Sequence, residues 1–178
     1  MTLKRTWQIA ALVVGFSGQL TAQHLIKLGA GESLNMHIRA ASLNEIIYSY
    51  GDQTELKKLF GDSLEVEYNS FNNSARFRMR GLQMIFENYE YPFGYSLTSL
   101  IIYEPNHTVT IKDVQMHCGD NYSEVAEALG LIPEGTFPLI SYRSYHKDWR
   151  VTILFDEETG TIKEIGYNVI MQAIEDRD

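Results

Sequence analysis

Two stretches of the chain align without a gap, the second starting at residue 121 and the first at residue 42. Ser42-Leu-Asn-Glu45-Ile-Ile-Tyr-Ser-Tyr-Gly51 lies over Asn121-Tyr-Ser-Glu124-Val-Ala-Glu-Ala-Leu-Gly130. Each opens on a residue that caps helices, carries Glu three positions later and closes on Gly. Between those marks, Leu43, Ile46, Ile47 and Tyr50 match Tyr122, Val125, Ala126 and Leu129 at helical spacing. The pattern predicts a short amphipathic helix with a capping box at its start and a glycine stop, used twice. A repeated element of this kind restricts the chain to a two-copy architecture.

The N-terminus reads as a secretory signal over residues 1–22. Lys4 and Arg5 precede the apolar stretch from Trp7 to Phe16, and a small, polar segment from Ser17 to Ala22 follows. A spanning helix needs ~20 apolar residues, so stable membrane insertion is not expected once the signal is removed. The expected mature chain, 23–178, is exported, soluble, and periplasmic or secreted. The whole chain carries a net charge of −8. An acidic chain is a poor partner for nucleic acid or an anionic membrane surface. The single cysteine, Cys118, cannot form an internal disulfide. As a small residue at a strand end it reads more readily as packing than as a reactive thiol.

Strand signals fill the space between the helical segments. Leu56, Leu59 and Phe60 would line a short second helix within Asp52–Gly61. Leu64, Val66 and Tyr68 then alternate with Glu65, Glu67 and Asn69, and Phe77 and Met79 alternate with Arg76, Arg78 and Arg80. Folding at Asn72-Asn73 would set Tyr68 opposite Phe77, Val66 opposite Met79, Glu67 opposite Arg78 and Glu65 opposite Arg80. The arginine row reads as a wet face neutralised by glutamates. Leu82–Asn88 corresponds to Val151–Glu157, and a further strand follows each, Leu97–Tyr103 and Thr161–Tyr167. Thr108–Ile111 links the copies. The expected fold is α+β: two tandem helix-plus-three-strand units, 23–118 and 119–178, forming antiparallel sheet with helices on one face. A cystatin-like or NTF2-like single sheet wrapped on one helix is the alternative.

The run from Gly119 to Gly130, followed by a three-strand meander, resembles the unit shared by the beta-lactamase inhibitory protein family and the SmpA/OmlA outer-membrane lipoproteins. The tandem spacing is nearer the former. The resemblance implies a fold whose members bind other proteins through a sheet face and loops. One cysteine cannot supply the inhibitors' disulfides, and no cysteine stands where the lipoproteins carry their lipid. No functional residue transfers from either family, and fold does not fix function.

Catalytic groupings are not evident. His24, His37, His107, His117 and His146 show no zinc-ligand spacing, and no phosphate loop or serine elbow is present. An enzyme, a cofactor and a metal are therefore not expected. Asn72, Asn106 and Asn121 head glycosylation sequons that turn chemistry also explains. Aromatic residues are the better lead. Tyr89, Tyr91, Phe93 and Tyr95 crowd one connection, and Tyr142, Tyr145, His146 and Trp149 flank the corresponding region of the second copy. Tyr and Trp bury much area with few rotors, which suits interfaces. The expected activity is binding of an envelope or extracellular protein, inhibitor- or assembly-factor-like. The alternative is a small-ligand or carbohydrate binder.

Overall fold

A computed structural model describes residues 24–28, 34–88, 95–131, 139–144 and 149–169. Among them the chain forms twelve strands and three short helices. This mostly β architecture overturns the expected tandem of helix-plus-three-strand units. The helices are α1 (Leu43–Tyr48), α2 (Gln53–Phe60) and α3 (Tyr122–Ala128). The strands fall into two sheets, neither of which is one copy of a repeat.

The larger sheet runs from β4 (Glu65–Asn69) at one edge through β5 (Ser74–Met79), β6 (Leu82–Glu87) and β7 (Ser96–Ile102). It continues across β12 (Ile162–Val169), β11 (Trp149–Phe155) and β10 (Leu139–Ser144) to β1 (His24–Leu28). All neighbours are antiparallel except β1 and β10, which run parallel. The smaller sheet orders β3 (Ala41–Ser42), β2 (Met36–Ile38), β8 (Val109–Ile111) and β9 (Val114–Met116). The expected linking strand at Thr108–Ile111 thus pairs with β2 and β9, in a layer that a two-copy scheme does not contain.

Period-2 alternation builds the core. Phe77, Met84, Leu100, Tyr167, Val151 and Tyr142 are successive cross-strand partners from β5 to β10, and all are buried. They form one cluster with Ile46, Leu56 and Phe60 of the helices and with Met36, Ile38 and Val109 of the smaller sheet. Phe77 and Phe86 meet edge to face at 5.6 Å, and Tyr122 of α3 meets Phe155 the same way at 5.0 Å. Residues before and after position 118 share this core.

Local signals hold better than the global one. Ser42 and Glu45 form the expected capping box: Ser42 Oγ accepts from Glu45 N–H at 3.2 Å, and Glu45 Oε2 accepts from Ser42 N–H at 2.7 Å. At α3, Asn121 Oδ1 instead accepts from the backbone and hydroxyl of Ser123, at 3.0 and 2.7 Å. The two aligned segments therefore start their helices by different chemistry. The β4–β5 register also differs from expectation by two residues. Val66 pairs Phe77, Glu67 pairs Arg76 and Glu65 pairs Arg78, with Asn69 opposite Ser74. The alternation of faces is kept, although Tyr68, expected on the dry face, is 59% exposed, and residues 70–73 form the loop in place of the two-residue turn at Asn72-Asn73.

Candidate functional site

The sequence-selected aromatics scatter. Tyr89, Tyr91, Phe93, Tyr145 and His146 lie outside the described residues. Tyr142 is 1% exposed, on the core-facing side of β10 opposite Val151, so it is not available to a partner. Burial pushes its phenol up to about 12. Tyr95 is half-buried beside Gly51 and Phe86, and its hydroxyl donates to Asn73 Oδ1 at 3.4 Å. Trp149 lines a cleft.

That cleft, about 410 Å³, opens between α1 and the ends of β11 and β12. Trp149 and Tyr167 are diagonal neighbours on adjacent strands of the larger sheet, their rings 6.3 Å apart and tilted by 36°. Tyr167 is buried, and burial pushes its phenol up to about 12, so it presents a neutral floor. Leu43 and Ile47 of α1, with Leu34, supply apolar wall, and Asn44 adds an amide. Tyr48 stands at the rim, 67% exposed. Tyr48 also borders a neighbouring cleft of about 340 Å³ with Glu45, Glu55 and Lys58. Its ring lies 6.3 Å from that of Tyr50.

Sequence reasoning placed Tyr50 on the buried stripe of a helix ending at Gly51. The helix stops at Tyr48, Tyr50 turns to φ +50, and its ring is 52% exposed. Tyr48 fell off the apolar stripe, and that offset was the available sign of its exposure. The most exposed ring among the described residues is not among the sequence candidates. Phe71 stands 98% exposed on the β4–β5 tip. The signal was a phenylalanine amid Asn69, Ser70, Asn72 and Asn73, where turn residues alone suffice.

Side chains hold that tip in place. Asn69 Oδ1 accepts from Phe71 N–H at 3.0 Å, Ser74 Oγ donates to Asn72 Oδ1 at 2.8 Å, and Asn88 N–H donates to Asn73 O at 3.0 Å. Asn73 takes φ +50, a conformation asparagine tolerates. Nearby arginines are neutralised. Arg76 and Arg78 approach Glu67 at 3.9 and 3.8 Å, and Arg80 pairs Glu104 at 3.0 Å. These pairs are largely exposed and contribute little stability.

Two polar groupings invite a chemical reading. His117 Nε2 lies 2.9 Å from Thr108 Oγ1, and its Nδ1 lies 3.6 Å from Asp120 Oδ2. The second separation is too long for a hydrogen bond, and the same carboxylate oxygen accepts His117 N–H at 2.6 Å. Asp120 is thus fixing a turn rather than orienting a base. Cys118 is buried, and burial pushes its thiol up to about 11, far from a nucleophile's range. Among the described residues no group of three or more His, Cys, Asp or Glu could hold a metal ion.

No family model and no curated protein matches this chain. It is similar to the solved structure of an extracellular protein containing a SCP domain from Bacillus anthracis str. Ames, at 13% identity and a TM-score of 0.37. The likeness covers 66% of this chain and 43% of that one, so the chain spans less than half of that protein. A likeness of this degree assigns neither activity nor partner. Among the described residues no helix is long and apolar enough to cross a membrane.

Proposed function

We propose that this is an exported protein-binding module whose β4–β5 tip enters an apolar pocket of an envelope or extracellular protein. The observation that carries the reading is Phe71, 98% exposed on a tip braced by side-chain hydrogen bonds. Exposing a whole phenylalanine forgoes ~1.5–3 kcal/mol of burial, which a partner's pocket would recover. A braced tip loses little entropy when it docks. Export rests on the pattern of residues 1–22.

The test is a crosslinking pull-down with the full chain as bait, against envelope and secreted fractions of its own source. The expected result is one saturable protein partner whose affinity falls at least ~30-fold in Phe71→Ser, the loss typical of an interfacial anchor. Circular dichroism should show the variant folded. A partner held equally well by Phe71→Ser removes the tip from the reading. A folded bait that captures nothing removes protein binding itself.

A further inference from the structure

We propose that the cleft bounded by Trp149 and Tyr48 is a binding site for a neutral saccharide, with one pyranose ring laid against the aromatic walls. This site is separate from the Phe71 tip and does not depend on the tip having a partner.

The lining decides the class of ligand. No Asp, Glu, Lys or Arg is among the described residues that line the cleft. The chain is acidic overall, at −8, so an anionic ligand would meet repulsion with no local base to offset it. A cation would find no carboxylate there. A purely hydrocarbon ligand would cover the Asn44 amide without replacing its hydrogen bonds to water. A pyranose offers what this lining asks for. Its C–H face packs on an aromatic ring, and its hydroxyls both donate and accept, as the amide of Asn44 does.

Geometry narrows the mode of binding. Trp149 and Tyr167, with centroids 6.3 Å apart, are too close to hold a sugar between them. The ligand must lie on the accessible face of Trp149, with the buried Tyr167 beneath and Tyr48 beside it at the rim. A volume of about 410 Å³ is at the low end of the ~300–1,000 Å³ of small-molecule sites, so a short stretch of a glycan fits. Tyr48 is 67% exposed and α1 is capped independently of it by Ser42 and Glu45. Its ring can be changed without disturbing the core.

The full chain carrying Trp7→Phe, so that Trp149 is its one indole, is titrated with cellotetraose, chitotetraose and mannotetraose. Trp149 fluorescence and its indole N–H resonance are followed. The expected result is a saturable change with at least one tetrasaccharide, weakened about 5-fold by Tyr48→Ala, within the range of a lost aromatic contact. Tyr48→Phe should bind nearly as well as the parent, because the ring face remains. Phe71→Ser should bind unchanged, which separates this site from the tip.

Three outcomes overturn the proposal. One is no saturable change at millimolar concentrations of any of the three, with the Trp149 resonance dispersed as in a folded protein. Another is a change that Tyr48→Ala leaves undiminished. The third is a response confined to a proline-rich peptide run alongside, which would make the cleft a peptide groove.

Discussion

The β5–β6 and β11–β12 corners use the same local device and end in opposite surroundings. Each turns on a glycine in the left-handed region, Gly81 at φ +75 and Gly160 at φ +67. Another part of the chain docks on each. At Gly81 the β7–β8 connection closes over the turn. Asn106 Nδ2 and His107 Nε2 both donate to Arg80 O, at 2.9 and 2.6 Å, and a Cβ on Gly81 would sit 2.7 Å from Glu104 Cβ. At Gly160 the approach to α3 docks through backbone, with Tyr122 N–H donating to Gly160 O and Ile162 N–H to Asp120 O, both at 2.8 Å, and a Cβ on Gly160 would meet nothing within 4 Å. Asp156 helps shape that second turn, accepting from Glu158 N–H, Thr159 N–H and the Thr159 hydroxyl. A turn's own residues therefore state that the chain reverses, but not whether anything else is packed on the reversal.

The sharpest break of this comparison is Gly81→Ala. It adds backbone strain to a contact that cannot yield cheaply, and thermal unfolding should show a loss of about 3 kcal/mol. His107→Ala comes next. The ring is fully buried, so its removal leaves a cavity and takes away one of the two donors to Arg80 O, costing ~2–3 kcal/mol. The same histidine makes the first corner acid-sensitive. Burial holds its pKa below the ordinary value, outweighing the raising effect of its bond to Arg80 O. Above the ordinary histidine value, ~6.5, neither state is protonated and stability is flat. As pH falls below it, the unfolded chain takes the proton first, so stability drops until the lowered folded pKa is reached. A melting series from pH 7 to pH 5 should show this decline, and His107→Gln should start lower and decline less.

Gly160→Ala should cost only the left-handed strain, ~1 kcal/mol, because its Cβ has open space. If Gly81→Ala and Gly160→Ala melt alike, the packing contrast between the corners is wrong. Phe71→Ser, on a third corner, should leave the melting temperature within a degree or so, since the ring is exposed. A large loss there would mean the ring packs on the protein itself.

Legibility followed the range of the physics. Alternation along β4 and β5 assigned each side chain to its face, because the period of a strand is strictly two. It could not set the register, since a two-residue slip keeps every face and merely lengthens the loop. Asn69 decides that slip by capping Phe71 N–H. The capping box of α1 was legible because Ser42 and Glu45 act over one turn. The apparent repeat misled for the same reason: any short capped helix on a core shows Ser or Asn, then Glu, then Gly. Strand β9 was missed because Lys112 and Asp113, at φ +50 and +67, make a tight hairpin turn from residues that do not advertise one. Of the cleft's aromatics, the sequence singles out Trp149 as a flank of the region that corresponds to the Asn88–Ser96 connection. Tyr48 and Tyr167 are not singled out, since only the fold brings α1 against the ends of β11 and β12.

The parallel pairing of β1 with β10 has a kinetic meaning. His24 finds its place opposite Ile140, so the first described strand is also among the last that can be seated. The antiparallel meander from β4 to β7 closes over short separations, but this edge must wait for more than a hundred residues of chain to be in hand. Folding of the complete sheet is therefore tied to release of nearly the whole polypeptide. A stalled or truncated chain that lacks β10 would leave the edge of β11 open, a template for pairing with other chains.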